Sequence, residues 1–475
     1  MENYEEDNEY LRELLERFEN NTSQGSYSFF DSGELEDIIY HYFNEAEYAK
    51  ALNAIEFAIS YFPTETIFKV FMAQYFLNTG AYEKALSSLK KLHSLEPNNA
   101  DIVLSLATAY SQMERPKEAI REYKRVLELT DEDADEVFKN IAFEYQNLNN
   151  AQEALLYFQR AYRYKPRKNA SLLFEISYCY ETLQKNEEGI QFFTDIIDKD
   201  PYCYEAWYNL GIIYNYSGLY EKAIDAFDFS IAIKPTYIPA YLIKAQMYEQ
   251  MDMYKEAINT YKQSLDVEAD DASVYYYIAN CYAFSGNYDK ALEYYRKALS
   301  LDRMLSNAWI GMGVSYVDMG QPAEALAHFQ QGLKIEPDNV DYLILISGCY
   351  EDLSMNEAAE AAYRRAGELD PTHPDVWLDF SDFYVKTQND YQKALDIIEE
   401  GAFHQGNNSE LVYRRAAYLY LSGRVKEAII ELFIALTMDY KGHELFLEYN
   451  PRLQQSDEII QAIQSFKNHT NISNN

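Results

Sequence analysis

Seven histidines and four cysteines are the side chains best suited to binding a metal or acting as nucleophiles. The histidines are scattered without ligand spacing, and Cys203 stands apart from the other cysteines. Cys179, Cys281 and Cys349 are separated by whole multiples of 34 residues. That places them far apart and in equivalent settings rather than around one metal. Residues 131–136, DEDADE, open like a calcium-binding loop. Such a loop needs Gly at its sixth position and a bidentate Glu at its twelfth, and this one has Glu136 and Ala142. A solvated loop is expected there instead. No phosphate-binding glycine loop, HExxH or G-x-S-x-G occurs. No catalytic residue, metal or cofactor is assigned, and the chain reads as a non-enzyme.

The multiples of 34 point back to the elements that carry these residues. In the stretch 204–237, Trp207, Leu210, Gly211 and Tyr214 are followed by Gly218, Ala223, Phe227 and Pro235. Stepping by 34 with four one-residue shifts, the Tyr214 position is aromatic in twelve copies, from Tyr42 to Tyr420. The Ala223 position is Ala in every copy but one, where Gly189 stands. Counting Tyr204 as position 1, positions 4, 7, 8 and 11 mark one face of a helix, and positions 20, 24 and 27 mark a second. A turn separates them, often at Gly (Gly80, Gly218, Gly286, Gly320). Small residues at position 8 and Ala at position 20 let two backbones approach. Aromatics at 11 and 24 fill the surrounding space.

The pattern W-x2-L-G-x2-Y…A-x3-F…P, carried by Trp207, Leu210, Gly211, Tyr214, Ala223, Phe227 and Pro235, resembles the tetratricopeptide repeat. Twelve copies cover residues 32–442. The resemblance implies an all-α, right-handed superhelical solenoid whose first helices line a concave groove for protein ligands. The Tyr- and Asn-rich acidic composition also looks like the long cytoplasmic arrays of Bacteroidota.

Within that resemblance, positions 2, 5, 6, 9, 12 and 13 face the groove. They supply Asn140, Phe143, Phe174, Tyr178, Tyr208, Asn209, Asn215, Tyr276, Tyr277 and Asn280. Aromatic rings give contact area, and amides pair with a peptide backbone. An extended peptide or a helical segment of a partner is the expected ligand. Farther along, Asp375, Asp379 and Asp382 make an acidic stretch suited to a basic segment. A carboxylate clamp begins at Lys139 and Asn140 but lacks its continuation, since Phe174 and Glu175 follow in the next repeat. Of the family's asparagine ladder only Asn140 and Asn209 remain.

The ends differ from the repeats. Residues 1–31 read as an acidic amphipathic helix, striped by Leu11, Leu14, Leu15 and Phe18, with the polar linker NNTSQGS after it. Residues 443–475 read as a capping helix, with Ile459, Ile460, Ile463 and Phe466 on one face, and a disordered tail. The formal charge of −36 disfavours nucleic acid and anionic membrane. The start lacks the features of a signal peptide, and no stretch approaches the ~18 apolar residues of a membrane span. A soluble, cytoplasmic monomer that scaffolds protein interactions is the expectation. A chaperone-like assembly factor or a regulatory subunit of a separate enzyme or transcription factor is the alternative.

Overall fold

The computed structural model describes residues 2–24, 28–406 and 408–470. The chain divides into two compact units, Met1–Ala240 and Tyr241–Asn475. Among the described residues there are 28 helices and no strand. Twenty-four of them form twelve consecutive pairs, from Ser32–Asn44 with Tyr48–Tyr61 to Ser409–Leu421 with Val425–Met438.

The turn inside each pair is one device repeated. A residue just past the end of the first helix is left-handed in all twelve: Ala46, Gly80, Glu114, Asn149, Gln184, Gly218, Asp252, Gly286, Gly320, Ser354, Asn389 and Gly423 have φ between 51° and 87°. In most of these turns the next N–H returns to the carbonyl of the position-11 aromatic, as from Leu219 to Tyr214 at 2.9 Å and from Asn287 to Tyr282 at 2.8 Å. This is the Schellman closure, which satisfies a carbonyl the helix end leaves orphaned. The glycines therefore mark only some of the turns that adopt the conformation.

Helix pairs close where the small residue meets a ring. A Cβ on Gly211 would lie 2.8 Å from the Phe227 ring, and one on Gly313 would lie 2.3 Å from Phe329. Phe158, Phe193, Phe227, Tyr261 and Phe329, all at position 24, are completely buried. The position-11 rings are more mixed: Tyr42 and Tyr180 are buried, whereas Tyr214 and Tyr316 are half-exposed. The principal core ring is thus at position 24. Trp207 and Trp377 each donate an indole N–H to a proline carbonyl six residues back, Pro201 and Pro371, both at 2.9 Å. That bond ties the start of a repeat to the end of the one before.

Residues 131–136 depart from expectation. Asp135 is fully buried rather than solvated. Its carboxylate pairs with Lys165 at 2.9 Å and Lys168 at 3.1 Å and accepts from Asn169 Nδ2 at 3.2 Å. Two of the one-residue shifts in the repeat fall here, and the extra length forms this junction.

The helix Glu2–Gln24 runs through most of the expected linker, of which Gly25 and Ser26 lie outside the described residues. Its Phe18 packs edge-on against Phe30 and Phe57, both at 5.6 Å. At the other end His443–Tyr449, Pro451–Gln454 and Asp457–Thr470 follow the last pair, with Ile459 and Ile463 buried. The expected disordered tail falls largely on 471–475, outside the described residues.

Candidate functional site

In the first unit, the first helices Ala134–Asn147, Leu172–Thr182 and Tyr204–Tyr216 carry seven of the expected groove residues. Phe143 and Tyr178 are exposed, and Asn140 and Asn215 are half-buried. Phe143 meets Phe158 edge-on at 5.0 Å, so its inner face is already occupied. Tyr208 sits among three rings, 5.6 Å from Phe174, 5.6 Å from Phe227 and 5.2 Å from Tyr237. Burial raises its phenol pKa. Asn209 is only 1% exposed, and its amide donates to the Glu205 carbonyl at 2.7 Å. The asparagine is part of its own helix rather than a ligand donor. Lys139 pairs with Glu136, so the base that would begin a carboxylate clamp is neutralised.

The second unit arranges similar residues differently. Tyr276, Asn280 and Phe284 on the helix Ala272–Phe284 face Ile310, Gly311, Val314 and Asp318 on the helix Ser306–Asp318. Between them lies a cavity of about 260 Å³. Tyr295 forms part of its wall and donates to Asn280 Oδ1 at 2.7 Å. Gly311 makes this possible, because a Cβ there would stand 2.5 Å from the Tyr295 ring and hydroxyl. Phe284 is 69% exposed and stacks on Tyr254 at 5.9 Å. Tyr277 does not join the cavity; it stacks on the buried Tyr261 at 5.5 Å. Sequence reasoning had not singled out Gly311. Its signal was a residue without a side chain at position 6, where every other repeat has one.

The acidic stretch is split by the structure. On the helix Pro374–Gln388, Asp375 is exposed and Asp379 half-buried. Asp382 is 7% exposed and ion-paired to Arg414. It also accepts from Tyr418 at 2.5 Å and from Tyr449 at 2.7 Å. Asp382 is therefore spent inside the protein and is not offered to a basic ligand. Burial raises the carboxyl pKa of Asp379, and does the same for Glu351, which accepts from Tyr363 at 2.5 Å.

Among the described residues no group of three or more His, Cys, Asp and Glu is placed to hold a metal ion. No helix among them is long and apolar enough to cross a membrane. Tetratricopeptide repeat family models match residues 76–139, 141–202, 204–237, 238–304, 270–336 and 316–377, more than half of the chain. The chain is a tetratricopeptide repeat protein. No curated protein matches it. Among solved structures, yeast Tom70 is 15% identical with a TM-score of 0.42, covering 92% of this chain and 96% of its own. A tetratricopeptide repeat protein of Parabacteroides merdae is 17% identical with a TM-score of 0.39, covering 52% and 98%. YrrB, described as a tetratricopeptide repeat protein with an unusual peptide-binding site, is 20% identical with a TM-score of 0.32, covering 40% and 98%.

Proposed function

We propose that this tetratricopeptide repeat protein is a non-enzymatic interaction scaffold that holds a peptide or helical segment of a partner on its first-helix face. The observation that carries the reading is the cavity above Gly311. It has an exposed aromatic wall at Phe284, aliphatic walls at Ile310 and Val314, and an amide at Asn280. An apolar side chain of the ligand fits the walls. With Asn280 Oδ1 taken by Tyr295, the amide N–H2 is the half left for a ligand carbonyl. Apolar surroundings with a few placed polar groups are the usual composition of a ligand pocket.

The test is capture of partners from the protein's own cells, with Phe284→Ser and Val314→Ser combined in the full chain. Both side chains are exposed, so helicity and thermal midpoint should hold. Loss of an aromatic anchor costs on the order of 2 kcal/mol of binding, about thirtyfold. Capture of the same partners at the same salt by the double variant would remove this cavity from the reading.

A further inference from the structure

The last repeat and the C-terminal cap enclose a second cavity, of about 420 Å³. Its apolar wall is made by Leu378, Ala417, Leu445 and Phe446, and Glu410 and Glu448 stand beside that wall. Leu445 is 67% exposed, an aliphatic side chain left uncovered at a cavity. Both glutamates are exposed, and neither has an ion-pair partner among the described residues. The only cation on the wall among the described residues, Arg414, is neutralised by Asp382 and lies 4.1 Å over the Tyr449 ring. The cavity therefore has an apolar wall and carries uncompensated negative charge.

We infer that this cavity receives a basic residue of a partner protein, its aliphatic stem on Leu378 and Leu445 and its cation between Glu410 and Glu448. Lysine and arginine combine these two properties in one side chain: an apolar stem and a charged head. Charge complementarity selects the basic occupant over an acidic or neutral one. A segment of protein is favoured over a free amine because the acidic surface continues past the cavity. Leu378 lies three residues after the exposed Asp375 on the same helix, so a second basic residue of the segment has a place to go. Lys386, one turn beyond Asp382 on that helix, limits the acidic surface in that direction.

This inference deepens the scaffold reading by naming the chemistry of the partner segment, and the experiment separates the two. A fluorescein-labelled peptide of alternating Arg and Leu is titrated against the full chain by anisotropy. A second peptide replaces Arg with citrulline, which keeps the shape and removes the charge. Glu410→Gln with Glu448→Gln is expected to weaken binding of the Arg peptide about tenfold at low salt, and less at high salt. Glu256→Gln with Asp266→Asn removes the same charge from exposed positions elsewhere and should leave affinity near wild type. Leu445→Ser should weaken binding as well. The inference is overturned if the two double variants behave alike, if the citrulline peptide binds equally, or if Leu445→Ser is silent. Binding that responds to Phe284→Ser but not to Glu410 and Glu448 keeps the scaffold reading and rejects this cavity. The reverse pattern keeps this cavity and rejects the one above Gly311.

Discussion

The helices Tyr204–Tyr216 and Ala272–Phe284 carry similar residues on their outer positions, rings and an asparagine among small apolar side chains. The first fills the space in front of it, and the second leaves a cavity. The cause lies in the neighbours. Tyr208 is met by Phe174 from the repeat before and Tyr237 from the following connection. At the equivalent places the second helix has Leu242 and Leu305, and Gly311 opposite it has no side chain. An aromatic-rich surface therefore packs on itself where rings face rings, and opens where the neighbouring repeat and connection supply leucines in place of those rings. Aromatic content alone does not locate a binding site.

The contrast breaks most severely if the ring beneath Tyr208 is removed. Phe227→Ala should cost about 3–5 kcal/mol, because a fully buried ring leaves a cavity against Gly211. Hydrogen exchange should loosen in neighbouring repeats and fade with distance, since repeats couple mainly to their neighbours. Uniform loosening over the chain would contradict it. Next comes Gly311→Ala, which sets a methyl where the Tyr295 ring stands. It should cost about 1–3 kcal/mol by overpacking and free Tyr295 from Asn280. A crystal structure of the variant should show the cavity filled or Tyr295 displaced.

The first unit also holds a buried charge, Asp135, whereas the charge at the second-unit cavity, Asp318, is exposed. Burial alone would raise the pKa of Asp135, but hydrogen bonds from Lys165, Lys168 and Asn169 override it and hold the carboxyl below the usual carboxylate range. A folded pKa below the unfolded one stabilises the native state above the unfolded pKa of roughly 3.9, and that stability is lost as pH falls toward the folded value. Protection factors of the amides in residues 130–172 should therefore fall between neutral pH and acid. Asp135→Asn should flatten that acid response. An unchanged pH profile in the variant would show that other carboxylates set it.

The smallest effects belong to the turns. Gly218 has φ 71° and open space around it, so Gly218→Ala should cost about 1 kcal/mol from backbone strain alone. Gln184 already bears that strain at φ 53°, and Gln184→Gly should gain up to about 1 kcal/mol, less the extra entropy of an unfolded glycine. Chemical denaturation of both variants checks the opposite signs.

Much of this was legible in the sequence. A period of 34 with a small residue at position 8, Ala at 20 and a ring at 24 specifies two helices and the contact between them, because helical periodicity fixes which residues share a face. The twelve pairs follow from that. Phe143 and Tyr178, assigned to the outer face, are exposed. What the period does not encode is burial by residues from other repeats. Asn209 is buried with its amide on the Glu205 carbonyl, and Asp382 is occupied by Arg414 and by Tyr449, 67 residues away. The left-handed turn was readable where it used glycine, but Glu114, Gln184 and Ser354 adopt it against their own preference. There the docking of two helices decides the backbone. Local sequence thus determined the repeat and its faces; only the tertiary structure decided which side chains on the outer face remain free to bind, because that depends on contacts between segments far apart in the chain.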